Sequence, residues 1–198
     1  MSTTRLRARL NRLRRRIARV LLFRMLFGES SDGRLLPFTR ISAASCIEHE
    51  ERLTLADHVY IGPFNFIEAS GGITLEEGVQ VTSHVSIVTH SSHRAMRLLG
   101  RKYAQGTEER PGWVAGPVHI GAYSFIGPHV LIEAGTRLGR GTLVRAGCVV
   151  RGQFPDFAVL DGQPAQVVGD SRQRDEVLLQ RHPELRAHYD AWAGRQGT

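Results

Sequence analysis

Two histidines three residues apart, His90 and His93, lie in the stretch VSIVTHSSHR at residues 85–94. Imidazole has an ordinary pKa close to neutrality, so a positioned histidine can take up and return a proton at physiological pH. General-base work of this kind typically contributes about 10²–10⁴-fold in rate. The competing chemistry is zinc binding, which asks for three ligands converging on one ion. His84, His90 and His93 are close along the chain, yet their spacing gives no reason for them to converge. Cys46 and Cys148 are the only cysteines. That is too few, and too far apart, for a disulfide framework or a thiolate site, and no metal is expected. What the histidines can do depends on the elements that hold them.

From Ile120 onward the chain divides into hexads: IGAYSF, IGPHVL, IEAGTR, LGRGTL, VRAGCV and VRGQFP, led by Ile120, Ile126, Ile132, Leu138, Val144 and Val150. A period of six suits neither a helix nor one long alternating strand. It suits short flat strands joined by turns, three to a triangular coil, with each leading aliphatic residue pointing inward. The same pattern runs upstream at Leu55, Ile61, Ile67, Leu75, Val81 and Ile87, and more weakly at Ile41, Ile47 and Leu53. Ile67 to Leu75 is a step of eight, so two residues bulge out around Gly71 and Gly72. Four or five coils of a parallel β-helix follow from this count. A β-sandwich would need six consecutive hexads to arise by coincidence.

Ile87 then points into the coil, and His90 falls at the corner where the repeat leaves the body. Residues 91–117 protrude before the hexads resume, a loop too long for a turn and basic at its start through Arg94, Arg97, Arg101 and Lys102. Loops of that length in compact domains are commonly functional. Stacking places Glu68, Ala69 and Ser70 one coil away from Val88, Thr89 and His90. Glu68 is therefore a candidate to orient the histidine or to hold a hydroxyl, and Glu133 is a weaker candidate. His84, His119 and His129 read as turn or surface residues.

The charge is unevenly placed. Residues 1–28 hold nine arginines and no acid; removing those nine from the 26 basic residues leaves 17 against 19 acids, a slightly acidic body. Leu6, Leu10, Leu13, Ile17 and Val20 step by four and three, which predicts a basic amphipathic helical arm over 1–28 that stops near Gly28. Such an arm packs on the body, on sister subunits or on anionic lipid headgroups. Nucleic acid is disfavoured, because no aromatic or base-reading motif accompanies the arginines. No apolar run approaches the ~20 residues needed to span a bilayer, and Arg24 interrupts the one stretch resembling a signal peptide. The expected location is the cytoplasm, with the arm as a peripheral contact on the inner face of the membrane. SRQRDEVLLQRHPELRAHYDAW reads as helical and broken at Pro183, so the organisation is a 1–28 arm, a 29–169 β-helix and a 170–198 helical cap.

Residues 53–169, with IGAYSFIGPHVLIEAGTRLGRGTLVRAGCVV followed by DGQPAQVV, resemble the hexapeptide-repeat acyltransferases. The nearest branch holds the galactoside, maltose and xenobiotic acetyltransferases and the polysaccharide O-acetyltransferases. The resemblance implies an all-β, left-handed parallel β-helix, an exception to the usual handedness of parallel crossovers. It also implies a homotrimer with sites between subunits, and acetyl-CoA as co-substrate. The expected reaction is acetyl transfer to a sugar hydroxyl, on a surface polysaccharide or its lipid-linked precursor. His90 matches the family's catalytic histidine, and His93 a second histidine of some members. Ser92, Tyr103 and Trp113 join His93 as acceptor contacts, the two aromatic residues as platforms for a sugar. Glu68 stands where sugar-acetylating relatives carry an amide. Ala146 and Gly147 match small residues along which the pantetheine chain passes. Arg151 and Gly152 stand where relatives hold a Thr-Lys pair near the CoA phosphates, and Gln166 replaces a basic residue. The alternatives are N-acetylation of a nucleotide-linked amino sugar, a zinc-dependent carbonic anhydrase on the same coil, and a non-enzymatic trimeric scaffold with a basic arm.

Overall fold

The computed structural model describes residues 3–22, 25–105 and 110–194. Phe23 and Arg24 of the arm, residues 106–109 of the protruding loop and residues 195–198 lie outside the described residues. Three sheets of short parallel strands wrap one core. On the first face Ile41, Ile61, Val81, Ile126, Val144 and Leu160 stand in register. On the second, Ile47, Ile67, Ile87, Ile132 and Val150 do so. On the third the ladder is Leu55, Leu75, Ile120, Leu138 and Phe154. The hexad leads are thus the core, and most are fully buried. The position two before each lead is buried too: Val59, Val79, Val85, Val118, Val130 and Cys148 fill the gaps between leads.

Local rules explain the hexad. The residue after a lead meets the next rung at close range; a Cβ on Gly127 would lie 2.8 Å from the Val144 carbonyl oxygen. Three residues after a lead the backbone turns the corner with positive φ, and non-glycine residues occupy this position at His58, Phe64, His84, Tyr123, His129 and Phe157. Their rings stack on one another along the corners, as His84 does on Phe64 (5.1 Å) and on His129 (4.9 Å), which offsets the strain of that backbone conformation. His84 and His129 are therefore turn residues, as their spacing suggested. Leu53 is not a lead: Leu55 pairs with Leu75 while Leu53 pairs with Ile73, so the first coil carries the same eight-residue step as the second.

The described residues form four α-helices, α1 (Thr3–Leu22), α2 (His93–Leu99), α3 (Arg172–Arg181) and α4 (Arg186–Ala193), so all-β is approximate; α1, α3 and α4 fall in the expected arm and cap, and α2 was not expected. The described helix of the arm is Thr3–Leu22. Met25–Ser31 forms a strand, β1, antiparallel to β2 (Arg34–Ser42), whose far end is the first rung of the coil. Gly28 sits in a bulge of β1 with φ 87° rather than ending a helix. Pairing with β2 satisfies backbone groups that a helix continuing into this segment would leave at the open end of the coil. At the other end, strands Ala158–Gly162 and Ala165–Asp170 form a hairpin, and α3 and α4 fold back over it. Trp192 of α4 packs on Tyr123 and Phe157, while Arg186 grips Glu176 through two bonds of 2.8 and 2.7 Å.

The excursion leaves and rejoins the coil between Ile87 and Ile120, at the same corner where the two previous coils carry their extra residues. It is more ordered than a loop: α2 buries Ala95, a 3-10 turn follows over Gly100–Gln105, and Val114–Ala115 returns antiparallel to His90–Ser91.

Candidate active site

The stacked register brings Glu68 beneath Val88, and the chain beyond each strand then turns the same corner. Glu68 is a buried charged group of this corner, with a side chain only 5% exposed. Its Oε1 accepts the Ser70 N–H (2.8 Å); its Oε2 accepts the Thr89 N–H (3.1 Å) and lies 2.8 Å from Thr89 Oγ1. His90 Nδ1 completes the set at 2.8 Å from Oε2, with Ser70 Oγ 3.2 Å away on its other side. Burial works to raise the Glu68 pKa, but the hydrogen bonds from the side chains and backbone of Ser70 and Thr89 outweigh it and hold the carboxyl down at about 2. Glu68 is therefore ionised at neutral pH and can only accept. The shared proton belongs to Nδ1, which leaves Nε2 of His90 with its lone pair free to take a proton.

His90 opens onto a cleft of about 440 Å³, whose lining includes His93, Arg94, Val114, Glu133 and Arg151. Trp113 stacks on the His90 imidazole, with centroids 4.5 Å apart and planes 10° from parallel. The Arg110 guanidinium lies over Trp113 (5.3 Å) and over Tyr103 (5.5 Å). The Trp113 ring, expected as a platform for a sugar, thus has one face against the imidazole. Tyr103 is tied to Arg110 instead of lining the cleft.

The structure groups some of the expected residues and separates others. Glu68 and His90 meet directly. His93 lines the same cleft, exposed, with Nδ1 2.7 Å from Ser91 Oγ. Arg151 is there too, loosely facing Glu133 at 4.0 Å. Gly152 follows it with φ 120°. Ser92 opens α2, and its carbonyl accepts the Met96 N–H (2.9 Å). Ala146 and Gly147 occupy the corner between the first and second faces, one side of the triangle away from His90; Gln163 reaches over to bond the Gly147 carbonyl. Gln166 sits on the outer strand of the C-terminal hairpin, opposite Asp161. Within one chain these three do not share the His90 cleft. His119 is paired with Glu76 at 2.9 Å. His84 stacks at another corner, on Phe64 and His129, and within one chain it does not meet His90 and His93. Among the described residues no group of three or more His, Cys, Asp or Glu side chains is placed to hold a metal.

Ser70, Thr89 and Arg110 were not identified as functional residues from the sequence. The register that flagged Glu68 also put Ser70 beside His90, and that signal could have found it. Nothing in the spacing pointed to Arg110, which acts through the fold of the excursion.

The parallel coil is built of hexads, and a carboxylate-held histidine stands at its interrupted corner. Residues 116–152 match the family model described as bacterial transferase hexapeptide (six repeats), and the chain is similar to acetyltransferases that carry this repeat. A Mycobacterium tuberculosis protein described as "Probable acetyltransferase" is 30% identical over 139 residues, 70% of this chain and 44% of the relative. The galactoside O-acetyltransferase of Escherichia coli is 27% identical over 106 residues, 52% of this chain and 47% of the relative. The chain thus spans less than half the length of these two relatives. Among solved structures, an N-acyltransferase from Bacillus cereus in complex with dTDP and coenzyme A superposes with a TM-score of 0.55 at 17% identity, covering 74% of this chain and 87% of that one. A galactoside acetyltransferase in complex with coenzyme A gives 0.51 at 21%, covering 67% and 62%.

Proposed function

We propose that the chain is an acetyl-CoA-dependent acetyltransferase, wound as a left-handed coil, that acetylates a sugar hydroxyl with His90 as general base. The Glu68–His90 pair at the wall of the cleft carries this reading. His90 Nε2 takes the proton of the acceptor hydroxyl as its oxygen attacks the thioester carbonyl carbon. Glu68, fixed by Ser70 and Thr89, holds the imidazole in the competent tautomer and offsets the positive charge it gains. When the tetrahedral centre collapses, the carbon–sulfur bond breaks and the proton on His90 passes to the departing thiolate. A preorganised donor to the oxyanion, a backbone N–H or Ser92, would contribute about 3 kcal/mol. Arg151 and Arg94 supply positive charge at the cleft for the CoA phosphates. Glu133 faces Arg151 and leaves it accessible, since their contact is long.

The Ala146–Gly147 corner and Gln166 enter this reading through a homotrimer, in which a neighbouring copy lays that corner against the His90 cleft. The acceptor is a carbohydrate of a surface polysaccharide or its precursor. Thiol release from acetyl-CoA, measured over a panel of sugars and amino sugars, tests the proposal. Release dependent on a hydroxyl-only sugar supports it, release only with amino sugars redirects it to N-acetylation, and no CoA binding at all overturns it. His90→Ala is expected to reduce turnover by about 10²–10⁴-fold while leaving the protein folded; full turnover in that variant would remove His90 from the mechanism.

A further inference from the structure

Acyl transfer makes no use of α1, which is built for a different contact. Among the described residues nothing covers its apolar stripe: Leu6, Leu10, Leu13, Ile17, Val20 and Leu21 are each between 46% and 67% exposed. Eight arginines and no acid occupy Thr3–Leu22. By helical spacing Arg7 and Arg14 border the stripe on one side and Arg9 and Arg16 on the other, so long cationic side chains flank the apolar strip on both edges. We propose that α1 lies flat on an anionic phospholipid surface, with the stripe in the headgroup–acyl boundary and the arginines on lipid phosphates, and so holds the enzyme body at a membrane.

Charge decides against the other occupants. A second copy of α1 seated on the stripe would gather sixteen arginines without one carboxylate between them, twice the eight of one helix. A purely electrostatic polyanion site would have no use for six exposed aliphatic side chains. A spanning orientation is ruled out for this segment, because no helix among the described residues is long and apolar enough to cross a bilayer. A helix that is polar on balance, with a cationic face opposite a narrow apolar stripe, is the form that partitions to the interface. Each basic residue near an anionic leaflet adds to the attraction. The chain enters the body through β1, whose hairpin with β2 also exposes Phe27 (61%) and Leu35 (73%), so the end of the coil next to the arm is itself apolar.

The test is co-sedimentation of the full chain with phosphatidylcholine vesicles, with and without about 30% phosphatidylglycerol. Binding about tenfold or more tighter to the anionic vesicles, weakened by about 0.5 M salt through screening, is the expected result. The variant Leu10→Ser/Leu13→Ser/Ile17→Ser keeps every charge and is expected to lose that binding while its thiol-release activity and circular dichroism of the β-helix are unchanged. Unchanged vesicle binding by the variant would reduce the contact to bulk electrostatics and overturn the proposal. A change in the variant's oligomeric state would reassign the stripe to a copy interface. Tighter binding to duplex DNA than to anionic vesicles would reassign the arginines. None of these results depends on the acceptor being a sugar, so the acyl-transfer reading can fail while this one stands.

Discussion

At the scale of single residues, the proposed chemistry rests on how Glu68 is kept ionised in a buried place. A carboxylate that accepts from Ser70, Thr89 and His90 together costs little to bury, because every lone pair facing the protein is used. Glu68→Gln preserves the shape and removes the charge. The amide can present its N–H₂ to Nδ1, which favours the wrong tautomer, so kcat is expected to fall about 10²-fold with the KM for acetyl-CoA unchanged. Glu68→Asp should recover part of that loss, whereas a purely structural role would show as a lower yield of folded protein with kcat intact. The same carboxyl makes stability depend on pH. Its pKa is lowered from 4.5 to about 2 in the fold, so its stabilisation is complete above about 4.5 and is lost as pH falls towards 2. The linked free energy is about 3 kcal/mol. Denaturant midpoints at pH 7 and pH 3 should therefore differ more for the native chain than for Glu68→Gln, and equal differences would show that Glu68 is not the linked group.

At the scale of elements, one corner of the coil organises the site. Each of the first three rungs carries extra residues there, two in the first and second and the whole excursion in the third. The bulge at Gly71 is packed against Thr89: its N–H donates to Thr89 Oγ1 (2.8 Å), and a Cβ on Gly71 would come within 2.9 Å of Thr89 Cβ and 3.1 Å of its carbonyl oxygen. Gly71→Ala therefore pushes the residue that precedes His90 and holds Glu68. Overpacking of this kind costs about 1–3 kcal/mol. The expected outcome is a lower melting temperature together with a drop in kcat, whereas unchanged kcat at reduced stability would mean that the bulge does not position the histidine. This corner is legible in the sequence because hexads are a rigid ruler: once Ile67 and Ile87 are both leads, Glu68 pairs with Val88 and stands within reach of His90. The excursion is less legible. Its local pattern is neither hexad nor a clear helical stripe, and the order in α2, the strand at Val114–Ala115 and the Trp113–His90 stack depend on tertiary contacts that no short window contains. The arm departs from its sequence pattern for a similar reason. Its helical stripe is real up to Leu22, but the edge of the first rung recruits Met25–Ser31 as a strand.

At the scale of the whole molecule, the three outer faces differ in a way that bears on assembly. Outward residues of the third face are polar: Thr54, Thr74, His119, Arg137 and Gln153 follow one another up the coil. On the second face the outward ladder is Cys46, Phe66, Ser86, Leu131 and Val149, and on the first it is Arg40, Tyr60, Gln80, Phe125, Leu143 and Val159. Parallel sheets are ordinarily covered on both sides, yet Phe66 and Phe125 are 39% and 40% exposed in the single chain. Two adjacent faces with more apolar outward residues than the third suit a closed three-fold ring, where each copy buries two faces and keeps the third in water. The His90 cleft lies at the edge of the second face, so a neighbour covering that face would also supply the cleft's missing wall. Phe66→Glu/Phe125→Glu is therefore expected to convert the assembly to single chains, read by analytical ultracentrifugation as a threefold loss of mass. Turnover should fall with it, while the Glu68–His90 pair stays intact within each chain. If the double variant sediments as single chains and keeps full activity, the site is complete in one copy. The Ala146–Gly147 corner would then have no part in donor binding.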